Sequence, residues 1–154
     1  MPSSTPPQVR ISSSQSALRV PRKKAVELID YVARGEGVRV AEVDLAVVDA
    51  DEVASVNRQW VGHAGPTDVI SFDLSDERSE GLWAQLVICG PMAVRQARAH
   101  NQGVQREFLL YVVHGLLHLL GYDDQNPRAA AAMHARQEEL LDAYLAGDPP
   151  PGAV

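Results

Sequence analysis

The sequence predicts an α+β fold, a small mixed β-sheet of about four strands covered by helices. Two observations carry that prediction. The first is the order of the hydrophobic periods, which runs β-α-β-α-β-β and then three helices. The second is the length: 154 residues with 45% hydrophobic and 22% charged side chains suit one domain around one core. Residues 1–7 are rich in Ser and Pro and are expected to be disordered, as is the Pro-rich tail 147–154, leaving a single domain over 8–146.

Gln8–Ser13 is a plausible first strand. Pro21 then opens a helix at its first position, where the missing N–H costs nothing. Ala25, Val26, Leu28, Ile29, Val32 and Ala33 form its apolar stripe, and Gly35 and Gly37 are expected to stop it. Val43–Val48 reads as a strand. A short helix starts after Asp49 or Asp51, turning Val53, Val56 and Trp60 inward and carrying Asn57 and Arg58 near its end.

After the breakers Gly62, Gly65 and Pro66, the segment Thr67–Leu74 reads as a strand with Ile70, Phe72 and Leu74 on one side. A proline at its entrance predicts a sheet edge. The polar loop Ser75–Gly81 leads to a strand at Leu86–Cys89, and Pro91 opens a helix running to about His100. Gln105–Leu120 is helical. Asn126 and Pro127 are read as N-cap and first residue of a last helix bearing Met133, Leu140, Leu141 and Tyr144.

Cys89 is the only cysteine, so no intrachain disulfide forms and a buried, inert thiol is expected. No apolar stretch is long enough for a membrane span and the first residues lack a signal-peptide core, which gives the expectation of a cytoplasmic protein without a membrane partner. The net charge of −6 argues against a uniformly nucleic-acid-coated surface. The charge is nonetheless uneven. Residues 1–39 hold seven of the fourteen Lys and Arg against three acids, so a local basic face that includes Lys23 and Lys24 is available for phosphate.

The densest chemistry lies in His114-Gly-Leu-Leu-His118-Leu-Leu-Gly121-Tyr-Asp123-Asp124. Two histidines four apart on a helix share a face, which is metal-ligand spacing. Gly121 can end the helix in a left-handed conformation and fold the chain back, bringing Asp123 and Asp124 toward the same point. The apolar surroundings, Tyr111 to Val113 and Leu116 to Leu120, suggest a buried helix in which an unpartnered histidine pair would be costly. The alternative is a pair of histidines that merely fill a helix face.

The spacing is that of a zincin-like metal-binding helix, and if a metal is bound a zinc peptidase is the first enzyme to compare. Such peptidases carry a general-base glutamate directly after the first histidine. Gly115 stands there, which disfavours peptidase chemistry.

The chain resembles the YbeY endoribonucleases, which serve in ribosomal RNA maturation and ribosome quality control. The similarity runs from about Val43 to Leu141. It includes Asn57-x-x-Trp60, Pro66-Thr-Asp-Val-Ile-Ser-Phe72, Leu86–Cys89, the His114–Asp123 run and Met133. The resemblance implies a zinc-bound, cytoplasmic α+β protein acting on single-stranded RNA, with rRNA and the ribosome as partners.

In the family pattern three histidines hold the metal. Two map onto His114 and His118, and the third position falls on Asp124, giving a two-histidine, one-carboxylate set that remains competent for zinc and admits harder metals such as manganese. His63, His100 and His134 are possible substitutes for the third ligand, but none sits at the family's ligand position, so Asp124 is the first choice. The family's arginine after the aromatic residue is replaced by Val61, with Arg58 nearby, and its acid before the Leu-Val-Ile-Cys strand is replaced by Gln85. Asp123 and Arg58 are therefore the candidate catalytic residues, and Ser71, Lys23 and Lys24 the candidates for substrate binding. A metal-dependent phosphodiesterase is the expectation, with a catalytically weakened metal- or RNA-binding ribosomal factor as the alternative.

Overall fold

A computed structural model describes residues 5–56 and 69–152. Its elements in chain order are β1 (Gln8–Ser13), α1 (Arg22–Glu36), β2 (Val40–Val48), α2 (Ala50–Val56), β3 (Val69–Asp73), β4 (Leu82–Cys89), α3 (Gly90–Ala99), α4 (Val104–Leu119) and α5 (Pro127–Leu145). The sheet order is β1-β2-β4-β3. β1, β2 and β4 run parallel, and β3 pairs antiparallel with β4 at the edge, as a proline at its entrance predicts. The α+β class, the mixed four-stranded sheet and the element order all follow the sequence expectation.

Strand alternation sorts the side chains onto two faces. Val43, Leu45, Val47, Ala84, Leu86 and Ile88 face a main core shared with α1, α4 and α5, whose largest enclosed side chains include Phe108, Leu28 and Leu140. Val48, Ile70, Val87 and Cys89 turn the other way, toward Val53 of α2, with Val56 and Phe72 against them. Cys89 is fully enclosed there, as expected of an apolar-strand thiol. α4 lies at the centre, packed on β3 and β4 beneath it and flanked by α1, α3 and α5.

Several boundaries differ from the sequence reading. Pro21 is the cap of α1 rather than its first residue, and the helix runs through Gly35 to Glu36. Gly35 faces α5, where a Cβ would lie 2.9 Å from Leu140 Cδ2, so that glycine permits close helix packing. Gly37 is the stop: with φ +66° it donates back to the carbonyls of Ala33 and Arg34. β2 and β4 start earlier than their apolar runs because Val40 pairs with Leu82 across a bulge. Leu74 lies beyond β3 and is exposed. Asn126 does cap α5, its side-chain oxygen accepting from Ala129 N at 2.8 Å.

Residues of the Pro-rich tail accept hydrogen bonds from the domain. Tyr31 Oη donates to the Asp148 carbonyl at 2.8 Å, and Arg136 Nη2 donates to the Pro151 carbonyl at 2.8 Å and to Gly35 O at 3.1 Å. Arg136 also pairs with the buried carboxylate of Glu36 at 2.7 Å. A guanidinium that must satisfy several donors out of water gathers the tail onto α1, an effect that composition alone does not reveal. No helix among the described residues is long and apolar enough to cross a membrane.

Candidate active site

α4 owes its position to one missing side chain. A Cβ on Gly115 would lie 2.9 Å from Leu86 Cδ2, 3.1 Å from Ser71 Oγ and 3.2 Å from Val69 Cγ2. Only glycine lets the helix settle this close to β3 and β4. Ser71 Oγ completes the contact by donating to the Gly115 carbonyl at 3.2 Å. Ser71, a sequence candidate for substrate binding, thus spends its hydroxyl on seating the helix. Position 115 faces the sheet, so a peptidase's glutamate there would be driven into the core rather than toward a substrate.

His114, beside that contact, is half-buried, while His118 is exposed. This corrects the expectation of an interior pair: the two rings stand at the rim of the core, one turn apart on α4, and burial alone does not argue for an ion. The chain after them folds as the glycine predicts. Gly121 has φ +109°, its N–H reaches His118 O at 3.3 Å, and Tyr122 N reaches Leu117 O at 3.1 Å, the paired bonds of a Schellman stop. Burial, then a hydrogen bond to Glu36 and the Glu36 charge, push the Tyr122 phenol upward, which ties the bend to the Glu36–Arg136 pair. Asp123 is half-buried with Oδ1 accepting from Gln125 N at 3.1 Å, and Asp124 is exposed.

His114 and His134 open on a cleft of about 550 Å³ between α4 and α5, whose walls include His100, Arg106, Glu107 and Gln137. Arg106 is held by Glu138 at 3.0 Å and by Asp142 at 2.6 Å, so this cation arrives neutralised. Gln137, only 7% exposed, places Oε1 2.9 Å from His114 Nδ1 and Nε2 3.5 Å from His134 Nδ1. The sequence reading missed Gln137 and Arg106. Gln137 lies on another helix and has no motif, and its only signal was an apolar-stripe position of α5 occupied by an amide.

Lys23 and Lys24 line a separate groove of about 600 Å³ with Arg19, Arg22 and Gln105. Arg22 Nη1 is anchored on Ile11 O at 2.9 Å. None of the four cations has a carboxylate partner among the described residues, whereas Arg10, Arg34, Arg39, Arg106 and Arg136 all do. The basic face expected from the uneven charge therefore exists as a groove. Gln105 of the groove and Arg106 of the cleft are neighbours in sequence on the first turn of α4.

Zinc can be tested against this donor set. A ligating histidine normally donates its second ring N–H to a fixed acceptor, and the Gln137 oxygen at His114 Nδ1 is such an acceptor, leaving His114 Nε2 for an ion. The His114 and His118 pair fits zinc in chemistry and spacing. Among the described residues no three His, Cys, Asp or Glu side chains are gathered to hold an ion, so Asp124 is not brought to the histidines. Arg58, Val61 and His63 lie outside the described residues. Gln85 sits on β4 between residues of the α4-facing side, so it points to the opposite face of the sheet from the histidines.

The chain is similar to known proteins. The family described as Endoribonuclease YbeY matches residues 10–145. Proteins of that name from a Nocardioides species, Renibacterium salmoninarum and Bacillus subtilis are 39%, 33% and 36% identical, over 70%, 90% and 79% of this chain and 77%, 94% and 85% of their own lengths. The solution structure of TM1509 from Thermotoga maritima superposes with a TM-score of 0.59 at 25% identity, covering 95% of this chain and 97% of that one.

Proposed function

The chain belongs to the endoribonuclease YbeY family, and from that premise we propose that it cleaves single-stranded RNA as a zinc-dependent endonuclease in ribosomal RNA maturation and ribosome quality control, in the cytoplasm. The observation that carries the metal-dependent reading is His114, which lines the cleft with its Nδ1 engaged by a buried amide and has His118 one helical turn further along α4. His114, His118 and Asp124 are the proposed holders of the ion.

A bound zinc supplies Lewis acidity toward a phosphate oxygen. The chain's own residues supply the rest. Lys23, Lys24, Arg19 and Arg22 attract and track the RNA backbone along the groove beside Gln105. His114 follows Gln105 by nine positions on α4, about 13.5 Å at the rise of a helix, so a strand held by the groove reaches the cleft within a few nucleotides. Asp123, one oxygen of which is spent on Gln125 N, keeps the other for orienting a ligand or taking a proton. Arg58 is the candidate cation for the phosphate.

A second reading, a ribosomal RNA-binding factor with weakened catalysis, is motivated by Asp124 at the third ligand position and Val61 in place of an arginine. Gln85 gives it no support, since that residue faces away from α4. Incubating the purified protein with a labelled single-stranded RNA, with and without zinc and beside His114→Ala, separates the two. Zinc-dependent cleavage absent from His114→Ala supports the enzyme; binding without cleavage above that variant favours the factor and overturns the enzyme.

A further inference from the structure

Gln137 is, among the described residues, the one buried neutral amide that touches two histidines of the cleft. Its two ends differ chemically. Oε1 can only accept, so the 2.9 Å contact requires a proton on His114 Nδ1. Nε2 can only donate, so the contact with His134 requires a lone pair on His134 Nδ1. A neutral imidazole carries a single N–H, so each assignment fixes the other nitrogen of its ring. His114 is left with a lone pair on Nε2 and His134 with a proton on Nε2, and in both rings Nε2 is the nitrogen turned away from Gln137.

We propose that Gln137 is a positioning residue that sets His114 and His134 in opposite tautomers, one ring an acceptor or ligand and the other a hydrogen-bond donor toward the same cleft. A lone pair suits a metal ion, and an N–H suits a phosphate oxygen of the substrate. The tautomer assignment follows from the orientation of the Gln137 amide, Oε1 toward His114 and Nε2 toward His134; only its use in RNA cleavage rests on the proposed function.

No other common side chain of this size does the same. A carboxylate at 137 accepts from both rings and draws a proton onto both Nδ1 atoms. A methionine accepts weakly and donates nothing, leaving each ring to its intrinsic preference, which for a free imidazole is Nε2–H. Gln137 therefore works against that preference at His114 and with it at His134. The informative ring is His114.

The test is long-range 15N–1H correlation of the histidine rings in the metal-free full-length protein, at a pH above the ordinary histidine range so that the rings are neutral. Zinc affinity is measured in parallel by competition with a chelator. Wild type is expected to show Nδ1–H at His114 and Nε2–H at His134. Gln137→Glu is expected to move His134 to Nδ1–H while leaving His114 unchanged. Gln137→Met is expected to shift His114 toward Nε2–H and weaken zinc binding about 10–100-fold.

Nε2–H at His114 in wild type or an unmoved His134 in Gln137→Glu overturns the proposal, as does, where the wild type binds zinc, unchanged zinc affinity in a folded Gln137→Met. If the methionine variant does not fold, the wild-type and glutamate spectra decide alone. A wild type that takes up no zinc yet shows the stated tautomers removes the metal from the proposed function while upholding the role of Gln137.

Discussion

Gly115 and Leu86 are separated by less than a methyl group's worth of space: a Cβ on the helix would sit 2.9 Å from the leucine Cδ2. Gly115→Ala gains up to about 1 kcal/mol in helix propensity, but it forces apart three contacts in a packed core, a cost of about 1–3 kcal/mol. The net expectation is a loss of about 1 kcal/mol and a thermal midpoint about 2–4 °C lower. Gly115→Glu places a carboxylate between α4 and the sheet and is expected to abolish soluble folding rather than create a peptidase. Thermal melts of the alanine variant and solubility of the glutamate variant check both.

The order of elements, the edge position of β3, the Asn126 cap and the Gly121 stop were all legible because each rests on residues adjacent in sequence: a proline, a capping amide, a glycine after a helix. What escaped rests on contacts between distant residues. Gln137 meets His114 across two helices, and Arg136 draws together Glu36, Gly35 and Pro151 from both ends of the chain. The rim position of His118 was hidden by an almost uniformly apolar helix, whose sequence marks burial without saying which stripe stays open. Local chemistry also identified His114 and Gly115 while leaving the reason for the glycine to the packed sheet.

The tail contributes to stability through its hydrogen bonds. Deleting residues 148–154 removes the Tyr31–Asp148 and Arg136–Pro151 bonds, one neutral and one charge-assisted. Together they correspond to about 2–4 kcal/mol. Urea denaturation of the truncated protein should show that loss; an unchanged midpoint would return the tail to disorder.

Arg136→Met strands the Glu36 carboxylate in a buried place and is expected to cost about 3–5 kcal/mol. Adding Glu36→Gln should recover part of the loss, because the remaining partner no longer carries a charge. The double-mutant cycle reads the coupling directly.

Alkaline pH should unfold the protein through its tyrosines. Burial raises the phenol of Tyr31, with the Asp148 charge adding to it, and likewise raises those of Tyr122 and Tyr144, aided by Glu36 and Glu27 respectively. A raised folded-state value means the native protein holds these protons more tightly than the unfolded chain. Their contribution is complete below the ordinary tyrosine value of about 10 and is lost as pH climbs through the raised values. Melting temperature should therefore fall above that point, with a smaller fall in Tyr122→Phe.

Lys23→Gln with Lys24→Gln should weaken single-stranded RNA binding regardless of sequence and lower the slope of log affinity against log salt by about 1.4, two contacts at about 0.7 each. Zinc content should be untouched, since the groove is separate from the histidines. An unchanged salt slope would remove the groove from the RNA path.

The central claim is that His114 and His118 hold an ion on which RNA cleavage depends. Elemental analysis of the purified protein, run beside single-stranded RNA cleavage for wild type, His114→Ala and His118→Ala, tests it most directly. The account predicts near-stoichiometric zinc in wild type and loss of both metal and cleavage in each variant. Full cleavage by a metal-free wild type, or by either alanine variant, would contradict it.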